Sequence, residues 1–246
     1  MRRPIPHVER RGLPFSGPES PGWGFAWFVK YGITWIILLM FRVKVRGIEH
    51  LPNGAAILAC NHVAIMDSII LWSTRLAPWP RHPHFVAKSE LYEKPTICGL
   101  PWIGWALDML GALPVTRGGA DRTMITRATN LLNHGEWVAI FPEGTRVRDG
   151  VGATESMGEA LGGAAFLAQR TGAPIVPIGV AGTENIFVPG KRLPRFPKVI
   201  YTIGAPLSPD EFEGGRKEKV TAMTAELMAR IQVLRDEGEE ARTHGG

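Results

Sequence analysis

The sequence predicts an α/β domain: about seven strands in a mostly parallel sheet flanked by helices, with an apolar helix in front of it. Three observations carry this. Short apolar runs recur along the 246 residues at intervals that suit buried strands. Between several of them lie stretches with apolar residues spaced by three and four, the repeat of a helix with one buried face. Strands that alternate with helices form parallel sheets, because each crossover helix covers a face of the sheet.

Composition narrows the class. Apolar residues make up 45% of the chain and charged residues 21%, which excludes both a disordered chain and a polytopic membrane protein. The formal charge of +5 favours an anionic partner, whether a phosphate ligand, an acidic membrane surface or nucleic acid, but at this size it decides little alone. Cys60 and Cys98 both sit in apolar contexts, as buried thiols of a reduced compartment do.

Taken in order, the first segment is 1–41. Within it, residues 22–41 ("GWGFAWFVKYGITWIILLMF") hold a single charge, Lys30, and are dense in aromatics. Twenty helical residues reach about 30 Å, the thickness of a bilayer core. No small-residue cleavage site follows, so a removable signal peptide is not indicated. Basic residues stand on both flanks: Arg2, Arg3, Arg10 and Arg11 before, then Arg42, Lys44 and Arg46 after. Each flank prefers the cytoplasmic side, which favours a membrane-associated helix lying in the interface over one that crosses. A soluble core helix is the competing reading.

The main domain is expected over 42–235. Strands are predicted at 43–48, 55–60, 84–88, 112–116, 137–141, 175–180 and 198–203, and helices at 67–76, 96–110, 120–134, 157–171 and 216–235. In the helix at 120–134, Ile125, Ala128 and Leu132 share a face, and "NHG" at 133–135 supplies the stop. The last helix carries Val220, Met223, Leu227, Ile231 and Leu234 on one stripe, which reads as core packing. Pro177 lacks an N–H, so its strand is expected at a sheet edge or at a bulge. The tail 236–246 is polar and expected to fray.

Chemistry concentrates at strand ends. In "ILACNHVAIMDSIILW" (57–72), His62 and Asp67 are five residues apart. Five positions leave two side chains roughly 140° apart on a helix and on opposite faces of a strand. They can meet only across a turn, and a strand ending at Cys60 with a helix beginning at Asp67 provides one. An aspartate that accepts from one ring N–H fixes the tautomer and leaves the other nitrogen as a base. The plain alternative is that Asp67 is a helix N-cap and His62 is structural. A second constellation, "WVAIFPEGTR" (137–146), runs an apolar strand into Glu143, Gly144, Thr145 and Arg146. The glycine admits close approach, the threonine offers a hydroxyl, and the guanidinium matches a phosphate. Arg117 in "GALPVTR" and Lys88 after "HFVA" also follow short apolar strands, so three cations can converge on one anion. Each cation alone reads as a solvated surface charge. His82 and His84 have no third ligand at metal-binding spacing, and no clustered basic stripe or motif points to nucleic acid.

Together these motifs resemble the lysophospholipid and glycerophosphate acyltransferases, above all the bacterial 1-acyl-sn-glycerol-3-phosphate acyltransferases. That family's ordered signature is His-x4-Asp, an Arg block, Phe-Pro-Glu-Gly-Thr-Arg and an apolar Val-Pro-Ile block. Here these are His62 and Asp67, Arg117, Phe141 to Arg146, and Val176-Pro177-Ile178. The agreement runs from about residue 42 to 205. It departs at Thr116, where relatives often carry an acidic or amide residue.

The resemblance implies an enzyme without cofactor or metal. His62 is its base and Asp67 the orienting carboxylate. Asn61, Lys88, Arg117, Glu143, Gly144, Thr145 and Arg146 surround the substrate. The implied partners are lysophosphatidic acid, acyl-CoA or acyl carrier protein as donor, and the cytoplasmic face of the cell membrane. Glycerol-3-phosphate, another lysophospholipid or a glycolipid is the alternative acceptor. A hydrolase, or a lipid-binding protein without turnover, is the alternative class.

Overall fold

The computed structural model describes residues 35–36, 39–62, 83–88, 113–115, 122–142, 157–186 and 195–244. The helices expected at 67–76 and 96–110 lie outside these residues, as does most of the expected helix over 22–41. Among the described residues no helix is long and apolar enough to cross a membrane.

The strands are β1 (Lys44–Arg46), β2 (Ala56–Cys60), β3 (Pro83–Lys88), β4 (Leu113–Val115), β5 (Trp137–Ile140), β6 (Ile175–Ala181) and β7 (Ile200–Ile203). Three helices accompany them among the described residues: α1 (Arg122–Asn133), α2 (Met157–Thr171) and α3 (Arg216–Thr243). The spatial order is β1-β7-β6-β2-β5-β3-β4. All neighbours run parallel except β6 and β7. The expected sheet of about seven strands is therefore a mixed ladder of six with β4 attached beyond it. Pro83 to Phe85 pair with β5, while only Val86 to Lys88, which run past that pairing, hold β4.

Alternation along the central strands builds two cores. Ala56, Leu58 and Cys60 of β2 join Trp137 and Ala139 of β5 and Val176, Ile178 and Val180 of β6 on one face. On the other face Ile57, Ala59, Val138 and Ile175 meet Ala128 and Leu132 of α1, Leu167 of α2, and Met223, Leu227 and Ile231 of α3. Strands buried on both faces read as unbroken apolar runs, which is why the sequence located them. Cys60 is a buried thiol, as expected; Cys98 lies outside the described residues.

Two expectations change here. Pro177 is not at an edge, because β6 lies between β2 and β7. It sits at a bulge: from the Ile178–Ile203 pair to the Ile175–Leu207 bridge, β6 advances three residues while the opposite chain advances four. The extra residue interrupts the ladder where proline has no N–H to give. Second, the tail expected to fray from 236 is helical through Thr243. Gly238 is buried, and a Cβ there would stand 3.2 Å from the Ala181 side chain. Lys198 Nζ donates to the Ala241 carbonyl at 3.4 Å, holding the helix end on the sheet. The tail has no apolar stripe to announce this; the absence of a side chain at 238 is what permits the contact.

Candidate active site

Because β2, β3, β4, β5 and β6 are mutually parallel, their carboxyl ends share one margin of the sheet. Open α/β sheets bind ligands at that margin. His62 follows β2 there, and Phe141 and Pro142 follow β5. Lys88 is the last residue of β3 and is in register with Val115, the last of β4 and two residues before Arg117. The sheet thus brings His62, Lys88 and the starts of both remaining motif loops to one margin. Asp67, Arg117, Glu143, Gly144, Thr145 and Arg146 lie outside the described residues.

The His62 ring stacks on Phe141, with centroids 4.3 Å apart and planes 28° from parallel. Stacking uses a face of the imidazole, whereas hydrogen bonds form in the ring plane at its nitrogens. Phe141 therefore sets the plane of the ring without consuming its proton-transfer capacity. Sequence reasoning read Phe141 as the end of a strand and the first residue of the motif, without a contact of its own. Its place as the histidine's wall follows from the β2–β5 pairing, in which Ala59 is in register with Ile140.

Asn61, expected among the substrate-binding residues, is bonded to β6. Its Nδ2 donates to the Val180 carbonyl at 2.9 Å, and its Oδ1 accepts from the Val180 N–H at 2.7 Å. The side chain is buried, with the residue 3% exposed. In a parallel ladder continued one step further, backbone groups of the β2 strand would satisfy Val180. The asparagine amide replaces them, so both polar groups of the Val180 backbone are paired beyond the end of β2. Asn61 positions His62. The clue in the sequence was an amide directly after a buried strand; its partner on β6 was not visible there.

Asn61→Ala removes both bonds and strands a buried N–H and a buried C=O. A cost of about 2–6 kcal/mol is expected, at about 1–3 per group. Asn61→Asp keeps the acceptor but faces the Val180 carbonyl with oxygen, so it is expected to recover only part of the loss. Urea unfolding of the three proteins checks this order; equal midpoints for the wild type and the alanine variant would contradict it.

The family model described as Acyltransferase matches residues 42–181, more than half of the chain, and contains every strand that forms this margin. The chain belongs to the acyltransferase family. Among its relatives is the 1-acyl-sn-glycerol-3-phosphate acyltransferase of Bacillus subtilis, 34% identical over 201 residues that span 81% of this chain and 91% of that protein. The enzyme of the same name from Pseudomonas aeruginosa is 28% identical over 201 residues, spanning 78% and 71%. This acyltransferase also shares its fold with the crystal structure of the 1-acyl-sn-glycerophosphate acyltransferase PlsC from Thermotoga maritima. The TM-score is 0.60 at 22% identity, over 87% of this chain and 88% of that one. The chain is therefore an acyl-transferring enzyme. In this acyltransferase the matched region ends at Ala181, the last residue of β6, so the Asn61–Val180 clasp joins the first and last motif strands of the matched segment.

Proposed function

We propose that the enzyme transfers a fatty acyl group from acyl-CoA or acyl carrier protein to the sn-2 hydroxyl of 1-acyl-sn-glycerol-3-phosphate, giving phosphatidic acid. The observation that carries this is the contact of His62 with Phe141: it joins the histidine of the first motif to the opening residue of "FPEGTR". The names of the bacterial relatives support the same acceptor.

In this reading His62 removes the proton of the sn-2 hydroxyl, and Asp67 orients the ring and stabilises its charged form. The alkoxide oxygen bonds to the thioester carbon, the C–S bond breaks, and the departing thiolate takes the proton from His62. No acyl-enzyme is needed. Ser68 lies in no Gly-x-Ser-x-Gly elbow, and Cys60 is spent in the core. Arg117 and Arg146, with Lys88, hold the acceptor phosphate, and Glu143, Gly144 and Thr145 shape the loop around it. A base is superfluous for mere phosphate binding, which is why the motif pair speaks for turnover. Residues 22–41 attach the enzyme to the cytoplasmic face of the membrane as a monotopic or peripheral protein, so that the site opens toward its lipid substrates.

The test is acyl transfer by the full chain with lysophosphatidate, glycerol-3-phosphate and lysophosphatidylcholine offered in parallel, each with acyl-CoA and with acyl carrier protein. Lysophosphatidate is expected to be converted at least tenfold faster than the other acceptors. Preference for glycerol-3-phosphate would move the enzyme to the alternative acceptor, and release of free fatty acid without an acylated product would make it a hydrolase.

A further inference from the structure

Past the end of β6 the chain makes a single 3-10 turn, Thr183–Asn185, at the margin that carries His62. The turn begins just beyond Ala181, where the family match ends. Gly182 opens it at φ 100°, in the left-handed region that favours glycine. The Asn185 N–H donates to the Gly182 carbonyl and the Ile186 N–H to the Thr183 carbonyl, both at 3.2 Å. The Glu184 carboxylate accepts from the Gly182 N–H, and from Asn185 Nδ2 at 2.9 Å. Thr183 differs from its neighbours. It is wholly buried, yet its Oγ1 has no hydrogen-bond partner in the protein.

The turn gives that hydroxyl a direction. Side chains three positions apart eclipse in a 3-10 turn, so Thr183 shares a side with Ile186. Ile186 belongs to the core layer of Cys60 and Val180, against which Phe141, the wall of the His62 ring, also packs. Thr183 therefore faces the layer on which the histidine stands, and Asn61 ties the ends of the two strands together. Among the described residues the other buried hydroxyls without a partner lie elsewhere, on Thr129 of α1 and Thr202 of β7. Thr202 is on the opposite face, its Oγ1 3.4 Å from where a Cβ on Gly238 of α3 would stand. A buried hydroxyl left unpaired costs stability, and at a functional margin its purpose is a ligand. A neutral hydroxyl in an apolar layer suits a carbonyl oxygen rather than a phosphate, whose charge would be desolvated there.

We propose that the Thr183 hydroxyl donates a hydrogen bond to an acyl carbonyl oxygen of a bound substrate, which makes Thr183 a substrate-contacting residue of acyl transfer. This rests on the lysophosphatidate reading above. Two substrates present such an oxygen: the donor, in its thioester, and the acceptor, in its 1-acyl ester. On the thioester the bond strengthens as the carbon is attacked and its oxygen gains charge. On the ester it only orients the acceptor.

The experiment is acyl transfer by the full chain and by its Thr183→Val, Thr183→Ser and Thr202→Val variants. The 1-acyl and 1-alkyl forms of glycerol-3-phosphate are offered as parallel acceptors, because the alkyl ether lacks the carbonyl. Valine keeps the shape of threonine and removes only the hydroxyl. Thr183→Val is expected to match or exceed the urea midpoint of the wild type, because no side-chain bond within the protein is lost. Its kcat/KM is expected to fall by about tenfold or more, the worth of one hydrogen bond. Thr183→Ser is expected to recover most of that activity, and Thr202→Val to retain all of it. A fall of about 100-fold in kcat with both acceptors assigns the bond to the thioester. A fall of about tenfold in kcat/KM with the 1-acyl acceptor alone assigns it to the ester. Wild-type activity in Thr183→Val would overturn the proposal, as would a loss matched by Thr202→Val or accompanied by a lowered urea midpoint. The lysophosphatidate reading fails separately. A wild type that acylates neither compound but accepts another removes that reading, and the same variants then decide the role of Thr183 on the acceptor it uses.

Discussion

His62→Ala is expected to reduce acyl transfer by about 10²–10⁴-fold, the range a positioned general base supplies, with the fold intact. His62 lies beyond the last residue of β2 and is only partly buried, so its loss leaves the strand's core contacts in place. The variant gives up the ring contact with Phe141, worth about 0.5–1.5 kcal/mol. The two effects separate experimentally. Initial rates at saturating acceptor should collapse while the urea midpoint moves slightly, and acceptor KM should change little, because the histidine acts on the hydroxyl rather than on the phosphate. Full activity in this variant would sink the mechanism. A collapse of rate accompanied by a large loss of stability would instead make His62 a packing residue.

Gly179→Val is expected to do the opposite: little direct effect on chemistry, and a loss of stability of about 3 kcal/mol or more, beyond the usual range for an overfilled core. A Cβ at 179 would stand 2.2 Å from Arg235 N and 2.3 Å from the Leu234 carbonyl carbon. Both are backbone atoms of α3, so no rotamer relieves the clash. The helix would have to lift off β6 and withdraw Met223, Leu227 and Ile231 from the core they share with β2 and α2. Gly163 provides the control. It lies inside α2 with nothing within 4 Å of an added Cβ, so Gly163→Ala is expected to gain about 0.5–1 kcal/mol from helix propensity. Urea denaturation of both variants decides it; a Gly179→Val protein as stable as wild type would mean that α3 does not sit on β6 as described.

These glycines show where reading the chain reached its limit. Strand sites were legible because a strand buried on both faces is an unbroken apolar run, and β2, β5 and β6 all are. The stripe of α3 was legible for a similar reason, through Met223, Leu227 and Ile231. Gly179 and Gly238 carried no such signal, since what they contribute is the absence of a side chain, and that matters only once a helix lies across them. Pro177 was half legible: its missing N–H demanded an edge or a bulge, and the β6–β7 register chose the bulge. The candidate site divided in the same way. His62 stood out by its chemistry and its motif, Phe141 by its place in the motif but not as the wall of the histidine ring, and the bonds of the Asn61 amide to Val180 left no mark in the sequence.

Residue types and their local spacing were enough to name the α/β class, most element positions and the ordered motif residues from His62 to Arg146, because periods of two and of 3.6 are properties of short stretches. They were not enough to say that β6 lies beside β2, that β7 turns against β6, or that α3 continues to Thr243. Those depend on contacts between residues far apart in the chain: more than a hundred positions for Asn61 with Val180, about twenty for Ala181 with Ile200, and over forty for Lys198 with Ala241. No short stretch encodes such a pairing; it is selected when the whole sheet buries its two faces at once.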